Sequence, residues 1–275
     1  MNIKILYEDK NFLAIDKPAG VAVHSDGKSK KPTIADWVLS NYPSTKNVGE
    51  ALVLEREGGK KEKILRPGIV HRLDRETSGV LLIAKNQKTF LFLKDQFQNH
   101  KIKKTYRAFV YGLVSDPKAS LLTGGKGVIK VPIGRSPKDI RAYTAGRGAR
   151  PPLREAITEY KVLAHLRINA DNKPIKTDIS VDQNKISDFS YLEIYPKTGR
   201  THQIRVHMRY INHPVVSDPI YRGTKDLALG MKRLALHASS ITFSLPDSGK
   251  TKGEIKTIEA PLPTDFKKAI KTYIE

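Results

Sequence analysis

The sequence contains no cysteine. That removes disulfides, a thiolate nucleophile and thiolate-held zinc from consideration. Eight histidines are present, but none pair in the HExxH spacing of a zinc hydrolase. The GxxxxGK[ST] pattern of a phosphate-binding loop never occurs, so the run Gly124-Gly125-Lys126-Gly127 is no nucleotide cradle. Long apolar runs are missing too. The longest, Val80 to Ala84, is strand-sized and far short of a membrane span. No basic helix with an aromatic face suggests attachment to a membrane surface. Met1 to Asp9 carry charges where a signal peptide needs an apolar stretch. These absences lead us to expect a cytoplasmic protein that engages no membrane, metal or cofactor.

Acidic residues are scarce. Asp and Glu total 28 against 49 Lys and Arg, a formal net charge of +21 over 275 residues. Like charges repel within a compact chain, so such an excess adds nothing to stability and points to a polyanionic partner, here RNA or DNA. Hydrophobic residues make up 39% of the chain, enough for one sizeable core or two small ones.

No internal repeat or low-complexity linker divides the chain. Residues 3–24 suggest two short strands around Glu8-Asp9-Lys10-Asn11, then a Lys17-Pro18-Ala19-Gly20 turn and an apolar run to His24. Residues 44–64 are polar and suggest a mobile loop. Ile69-Val70 and Val80 to Ala84 are predicted strands flanking the polar stretch His71 to Gly79. A helix is expected over 88–99, with Phe90, Leu93 and Phe97 on one face, and an alternating strand from Thr105. The Gly-, Lys- and Arg-rich region 115–150 suggests hairpins and loops facing the polyanion. Strands resume near 155–164 and 189–195 around a polar insertion at 170–188. Thr201 is expected to cap a helix running to Ile211, with His202, Arg205 and Arg209 on one face. A strand pair over 233–238 and 240–244 precedes a short helix after Pro263. The pattern is α+β with a largely antiparallel sheet.

The densest chemical signal runs Arg66-Pro67-Gly68-Ile69-Val70-His71-Arg72-Leu73-Asp74-Arg75-Glu76-Thr77-Ser78-Gly79 and on to Lys85. One carboxylate among several cations, on a connection between strands, suits a nucleophile or a base. The same pattern also fits an Arg–Asp pair that pins a turn, and isolated "RxD" spacings are more often that. The letters approach the kinase H-R-D, but the kinase order is H-R-D-L, and neither a GxGxxGxV loop nor a VAIK-like strand is present.

From Arg66 to Lys85 the chain closely resembles the HRLDxxTSG signature of RluA-type pseudouridine synthases. Lys103-Lys104-Thr105-Tyr106 to Gly112 is similar to the second motif of that family, and Lys197-Thr198-Gly199-Arg200-Thr201-His202-Gln203-Ile204-Arg205 to the third. Arg233 to Ala238 resembles the closing strand. Asp218-Pro219-Ile220-Tyr221 resembles the "GDPLY" segment, with Ser217 in place of its glycine. The resemblance spans nearly the whole chain in order, departing in loops 44–64, 115–150 and 166–188.

What the resemblance implies is specific. The fold would be that of the pseudouridine synthases, a mixed, largely antiparallel sheet with flanking helices and a central cleft. Residues 1–275 would form a single catalytic domain without an N-terminal S4 module, since the match begins within the first ten residues. Asp74 would be the catalytic carboxylate, Tyr106 would sit against the flipped uracil, and Arg205 would pair with Asp74. His71, Arg72, Thr77, Lys104, Arg200, His202 and Gln203 would contact RNA. The substrate would be a uridine in rRNA or tRNA, the protein a monomer, and no cofactor would be needed because isomerisation neither adds nor removes atoms. The rival expectation is a non-catalytic RNA-binding protein on the same fold.

Overall fold

A computed structural model describes residues 1–25, 29, 31–55, 61–114, 125–169, 173–175, 186–246 and 253–275. The chain divides into two compact units, one built from residues 1–103 and 238–261, the other from 104–237 and 262–275.

The first unit is a sheet in the order β1 (Lys4–Glu8), β2 (Phe12–Lys17), β5 (Ser78–Ala84), β13 (Leu236–Ser244) and β14 (Ile255–Glu259). The pairs β1–β2, β2–β5 and β13–β14 are antiparallel. Every residue of β5 is buried, as expected of a central strand covered on both faces, and this is why its sequence runs apolar without alternation. Helix α1 (Ile34–Asn41) opens with a capping box in which Thr33 and Asp36 satisfy each other's backbone N–H. Helix α2 (Gln87–Gln98) is capped by Asn86. Phe12, Val80, Leu82, Leu93, Ile241 and Phe243 form the main core. The predicted mobile loop at 44–64 instead holds a 3₁₀ turn (Pro43–Asn47) and an antiparallel hairpin of β3 (Leu52–Glu55) and β4 (Lys61–Ile64), with residues 56–60 outside the described residues. Ile69-Val70 is not a strand. Ile69 makes one isolated bridge to Ile83, and residues 21–24 are irregular.

The second unit carries the antiparallel order β6 (Lys103–Tyr111), β12 (Ser187–Pro196), β11 (Ile157–Ile168) and β7 (Lys126–Lys130). A small sheet of β10 (Arg150–Arg154), β8 (Ile133–Arg135) and β9 (Tyr143–Ala145) stands apart. Of the hairpins expected between 115 and 150, β8–β9 is present, whereas β7 pairs with the later β11, and residues 115–124 lie outside the described residues. Most of the insertion at 170–188 lies outside them as well. Helix α3 (Gln203–Tyr210) buries six consecutive residues, Gln203 to Met208. Ile204 and Met208 join the large-sheet core, while Val206 joins the cluster of Ile133, Ala145 and Tyr221 at the small sheet. A helix covered on two sides has no spare face, so its polar residues must find partners inside the protein. The C-terminal helix α4 (Thr264–Tyr273) lies after Pro263, as the sequence predicts.

Two boundaries differ from expectation. The strands expected at 233–238 and 240–244 are a single β13 that starts only at Leu236, with residues 233–235 irregular, and β14 has no counterpart among the expected strands. Helix α3 begins two residues past Thr201. His202 occupies the N-cap position in the left-handed region at φ 55°, without a side-chain cap bond. Among the described residues, no helix is long and apolar enough to cross a membrane.

Candidate active site

In the first unit, Asp74 stands half-buried on the connection that leads into β5, just after the buried Leu73. Its carbonyl accepts from the Thr77 N–H at 3.1 Å, closing a tight turn. Two glycines bracket the stretch. Gly68 has φ +63°, and a Cβ there would come 2.0 Å from the Ala84 carbonyl oxygen. Gly79 has φ +114°, and a Cβ there would come 2.1 Å from the Ala238 carbonyl oxygen. No other residue fits either place, so the two ends of the turn are seated by backbone contact.

A residue that the sequence reading passed over holds the turn from beneath. Lys17 ends β2 with no exposed surface. Its Nζ donates to the carbonyls of Pro18, Val21 and Arg75 at 2.8, 2.8 and 3.0 Å. The Arg75 carbonyl also accepts from the Gly20 N–H at 2.8 Å. A buried ammonium is tolerated only when its donors are met, and here three carbonyls meet them. Lys17 therefore ties the Lys17–Gly20 turn to the peptide that follows Asp74.

His71 turns inward. Its Nε2 accepts from the Leu82 N–H at 3.0 Å, and its ring stacks on Phe97 with centroids 4.5 Å apart. An accepting Nε2 requires the neutral ring to carry its proton on Nδ1. Thr77 is buried and Arg72 is exposed.

In the second unit, Arg205 is 3% exposed on α3. Its Nε and Nη2 fork onto the two oxygens of Asp218 at 2.7 and 2.9 Å, and its guanidinium lies 5.0 Å from the centre of the Tyr221 ring. Asp218 is fully buried and also accepts from the N–H groups of Ile220 and Tyr221. Asp218 is thus a second site carboxylate that the motifs displayed but whose partner they did not disclose. Ser217 before it adopts φ 57°, which explains the glycine expected at this position, and its Oγ donates to the Met231 carbonyl at 2.7 Å.

The third-motif turn is organised by Gln203. Its Oε1 accepts from the Thr198 hydroxyl at 2.6 Å and the Arg200 N–H at 3.0 Å. Its Nε2 donates to the Ile157 carbonyl and the Thr158 hydroxyl, both at 3.0 Å. Two donors and two acceptors are all used, and the side chain is buried, so the structure places Gln203 inside the turn and off the surface. His202 Nδ1 meets the Tyr221 hydroxyl at 2.9 Å. Arg200 donates from Nε to the Glu155 carbonyl at 2.9 Å. Lys104 donates to the Thr198 carbonyl at 3.0 Å, and burial pulls its ammonium down to about 8. His207, beyond Gln203 on α3, bonds the Thr158 hydroxyl and the Val131 carbonyl. Burial lowers the pKa of that ring. Tyr106 is half-buried on β6, paired in register with Ile194.

The structure thus gathers His71, Arg72, Asp74 and Thr77 on one connection of the first unit. It gathers Lys104, Arg200, His202, Gln203 and Arg205 around the turn before α3 in the second.

The family profile for RNA pseudouridylate synthases matches residues 11–210. The chain is 32% identical to an uncharacterized RNA pseudouridine synthase, YlyB, of Bacillus subtilis, over 98% of this chain and 72% of that one. It is also 32% identical to the ribosomal large subunit pseudouridine synthase D of Neisseria meningitidis, over 97% of this chain and 60% of that one. The human RNA pseudouridylate synthase domain containing 1 shares the fold, with a TM-score of 0.64 over 95% of this chain and 84% of that one at 23% identity. With 200 of its residues inside the family profile and its three motifs in order, the chain belongs to the RNA pseudouridylate synthase family, isomerases that act on uridine in RNA.

Proposed function

We propose that this chain converts uridine to pseudouridine in ribosomal RNA, with Asp74 as the nucleophile. The observation that carries the reading is the Asp74 turn itself. Two glycines and the buried Lys17 immobilise its backbone while the carboxylate stays half-buried on a connection. A group held in place by backbone contacts is preorganised for attack, as catalysis by positioning demands. Ribosomal RNA is favoured over tRNA by the name of the Neisseria relative, a ribosomal large subunit pseudouridine synthase. The chain spans from 60% to 72% of the length of these relatives, so the target is assigned by analogy to longer proteins.

The reaction breaks the N1–C1′ bond, turns the uracil and joins C5 to C1′, with the C5 proton lost and N1 protonated. Nothing is added or removed, so the reading needs no cofactor. The base must leave its stack before a carboxylate can reach it. Tyr106 and Arg205 take part on the strength of their motifs. Arg72, Lys104, Arg200 and His202 supply phosphate or sugar contacts, while His71, Thr77 and Gln203 hold the two turns in shape. We read the two units as parts of one catalytic domain, because the family match runs unbroken through residues 103 and 104. A monomer working in the cytoplasm completes the reading.

The test is a map of pseudouridines across rRNA and tRNA in cells with the gene, without it, and with the Asp74→Ala variant. One or more rRNA sites should vanish in both altered strains. Sites lost from tRNA alone would replace rRNA as the target. Unchanged modification in the variant strain would leave a non-catalytic RNA-binding protein.

A further inference from the structure

Arg66 opens the Asp74 segment, and its backbone is fixed from several directions. Its carbonyl accepts from the Ile69 N–H at 3.2 Å, Pro67 follows, and Gly68 is tied to Val48 and Ala84 at 2.8 Å each. Its side chain is less well provided for. The Nε atom is buried and has no hydrogen-bond partner among the described residues. No carboxylate pairs with Arg66 among those residues either. Burial, and then the like charge of Arg72, lower its pKa. A half-buried guanidinium under the repulsion of another cation, with a donor unmet, is an unfavourable arrangement that an apolar side chain would relieve. Buried donors are nearly always satisfied, so an orphan of this kind calls for an absent acceptor. Arg72 is exposed and Arg66 half-buried, so a ligand from solvent has access to part of each residue. What satisfies two cations and a planar fork together is an anion with several oxygens.

We propose that Arg66 is the fixed arm of an anion clamp, completed by Arg72, that grips a backbone phosphate of the RNA at the entrance to the Asp74 segment. The immobile Arg66 sets the register of the strand, and the exposed Arg72 closes on it. The proposal rests on the RNA-modifying reading above and deepens it by adding Arg66 to the phosphate contact already given to Arg72.

The test compares the full chain with its Arg66→Gln and Arg66→Lys variants. Binding of a fluorescein-labelled, uridine-containing single-stranded RNA is followed by anisotropy as KCl rises from about 50 to about 300 mM, a range in which phosphate contacts dominate the salt response. One phosphate contact on a single strand contributes a slope of about 0.7 in log K against log salt, and the Gln variant should lose that much. Its affinity at low salt should fall several-fold, while its melting temperature without RNA should equal or exceed that of the parent. A slope unchanged in Arg66→Gln overturns the clamp. Should the Gln variant fail to fold, the Lys variant decides. It retains the charge but not the fork, so its binding should weaken about threefold or more at fixed salt, and parental affinity overturns the clamp. If the parent chain itself shows no salt-dependent RNA binding, the RNA reading fails and takes the clamp with it. Parental binding with unaltered variants defeats the clamp alone.

Discussion

Asp74 and Asp218 are both carboxylates set among arginines, and the fold treats them in opposite ways. Asp218 has no exposed surface; both its oxygens engage Arg205, and one also accepts two backbone N–H groups. Asp74 remains half-buried on a connection whose backbone is held by its own turn and by the carbonyls that Lys17 gathers. In one region the side chain is locked and the charge spent on structure. In the other the locked main chain holds a carboxylate that keeps part of its surface exposed. The difference suggests how to tell a structural acid from a reactive one when both lie next to arginine: ask how deeply the fold buries the carboxylate.

The largest expected effect tests the reactive side. Asp74→Ala should lower pseudouridine formation on the order of 10³-fold or more, as removal of a nucleophile does. The melting temperature and RNA affinity should stay near the parental values. Tritium release from 5-³H-uridine RNA measures the first and anisotropy the second. If the variant unfolds or loses RNA binding, Asp74 is as structural as Asp218 and the contrast collapses.

Asp218→Ala comes next, with the opposite signature. It leaves a buried guanidinium without its counter-charge, at a cost of about 3–5 kcal/mol. That corresponds to a fall of roughly 10 °C or more in melting temperature for a chain of this size. The Arg205→Met, Asp218→Leu double variant should regain most of that stability, because a buried ion pair replaced by apolar groups is often close to neutral. It should not regain activity if Arg205 serves the reaction. A double variant that restores both would make Arg205 purely structural.

Lys17→Met addresses the scaffold of the Asp74 turn. Removing the ammonium leaves buried carbonyls unmet, for about 2–4 kcal/mol of stability. Activity should fall further than RNA binding does, because the turn shifts while phosphate contacts persist. A misplacement near 1 Å is enough for about 10²-fold in rate. Equal losses in KM and kcat would argue against a positioning role.

The two carboxylates were not equally visible before the structure. The Asp74 segment is contiguous, so its residue types and spacing show together from Arg66 to Gly79. The Arg205–Asp218 pair joins residues thirteen apart through an irregular segment, and nothing in their spacing marks them as partners. Lys17 was hidden for another reason. Lysines are almost never fully buried, so its place beside a turn suggested solvent. Regular elements followed the same rule. The buried β5 and the amphipathic α2 were evident from their patterns. Strand β4, KEKI, has two lysines and a glutamate in four residues and offers no apolar face to detect. The start of α3 was misplaced because a left-handed His202 forms the junction, a conformation that side-chain preference does not announce. Gln203 was assigned to RNA from its motif, and only the geometry shows its amide filled from within.

The smallest effect concerns a cation that lies between the two treatments. Lys104 bonds a single carbonyl, that of Thr198, and burial holds its pKa down to about 8 in the folded chain. An unfolded lysine titrates near 10.4. Between these values the unfolded chain binds the extra proton, so stability should rise as pH climbs through that window. Below pH 8 both states are protonated and the full penalty of the buried charge applies. Lys104→Met removes the penalty, so the variant should melt higher than the parent at pH 7, by a margin that closes as pH approaches 10. Melting curves of the two proteins at both pH values check this, since other groups titrate alike in each and drop out of the difference. A margin that does not change with pH would mean that the ammonium is solvated after all. Lys104 would then resemble Arg72, exposed and uncommitted, and would not be a strained cation held in readiness for a phosphate.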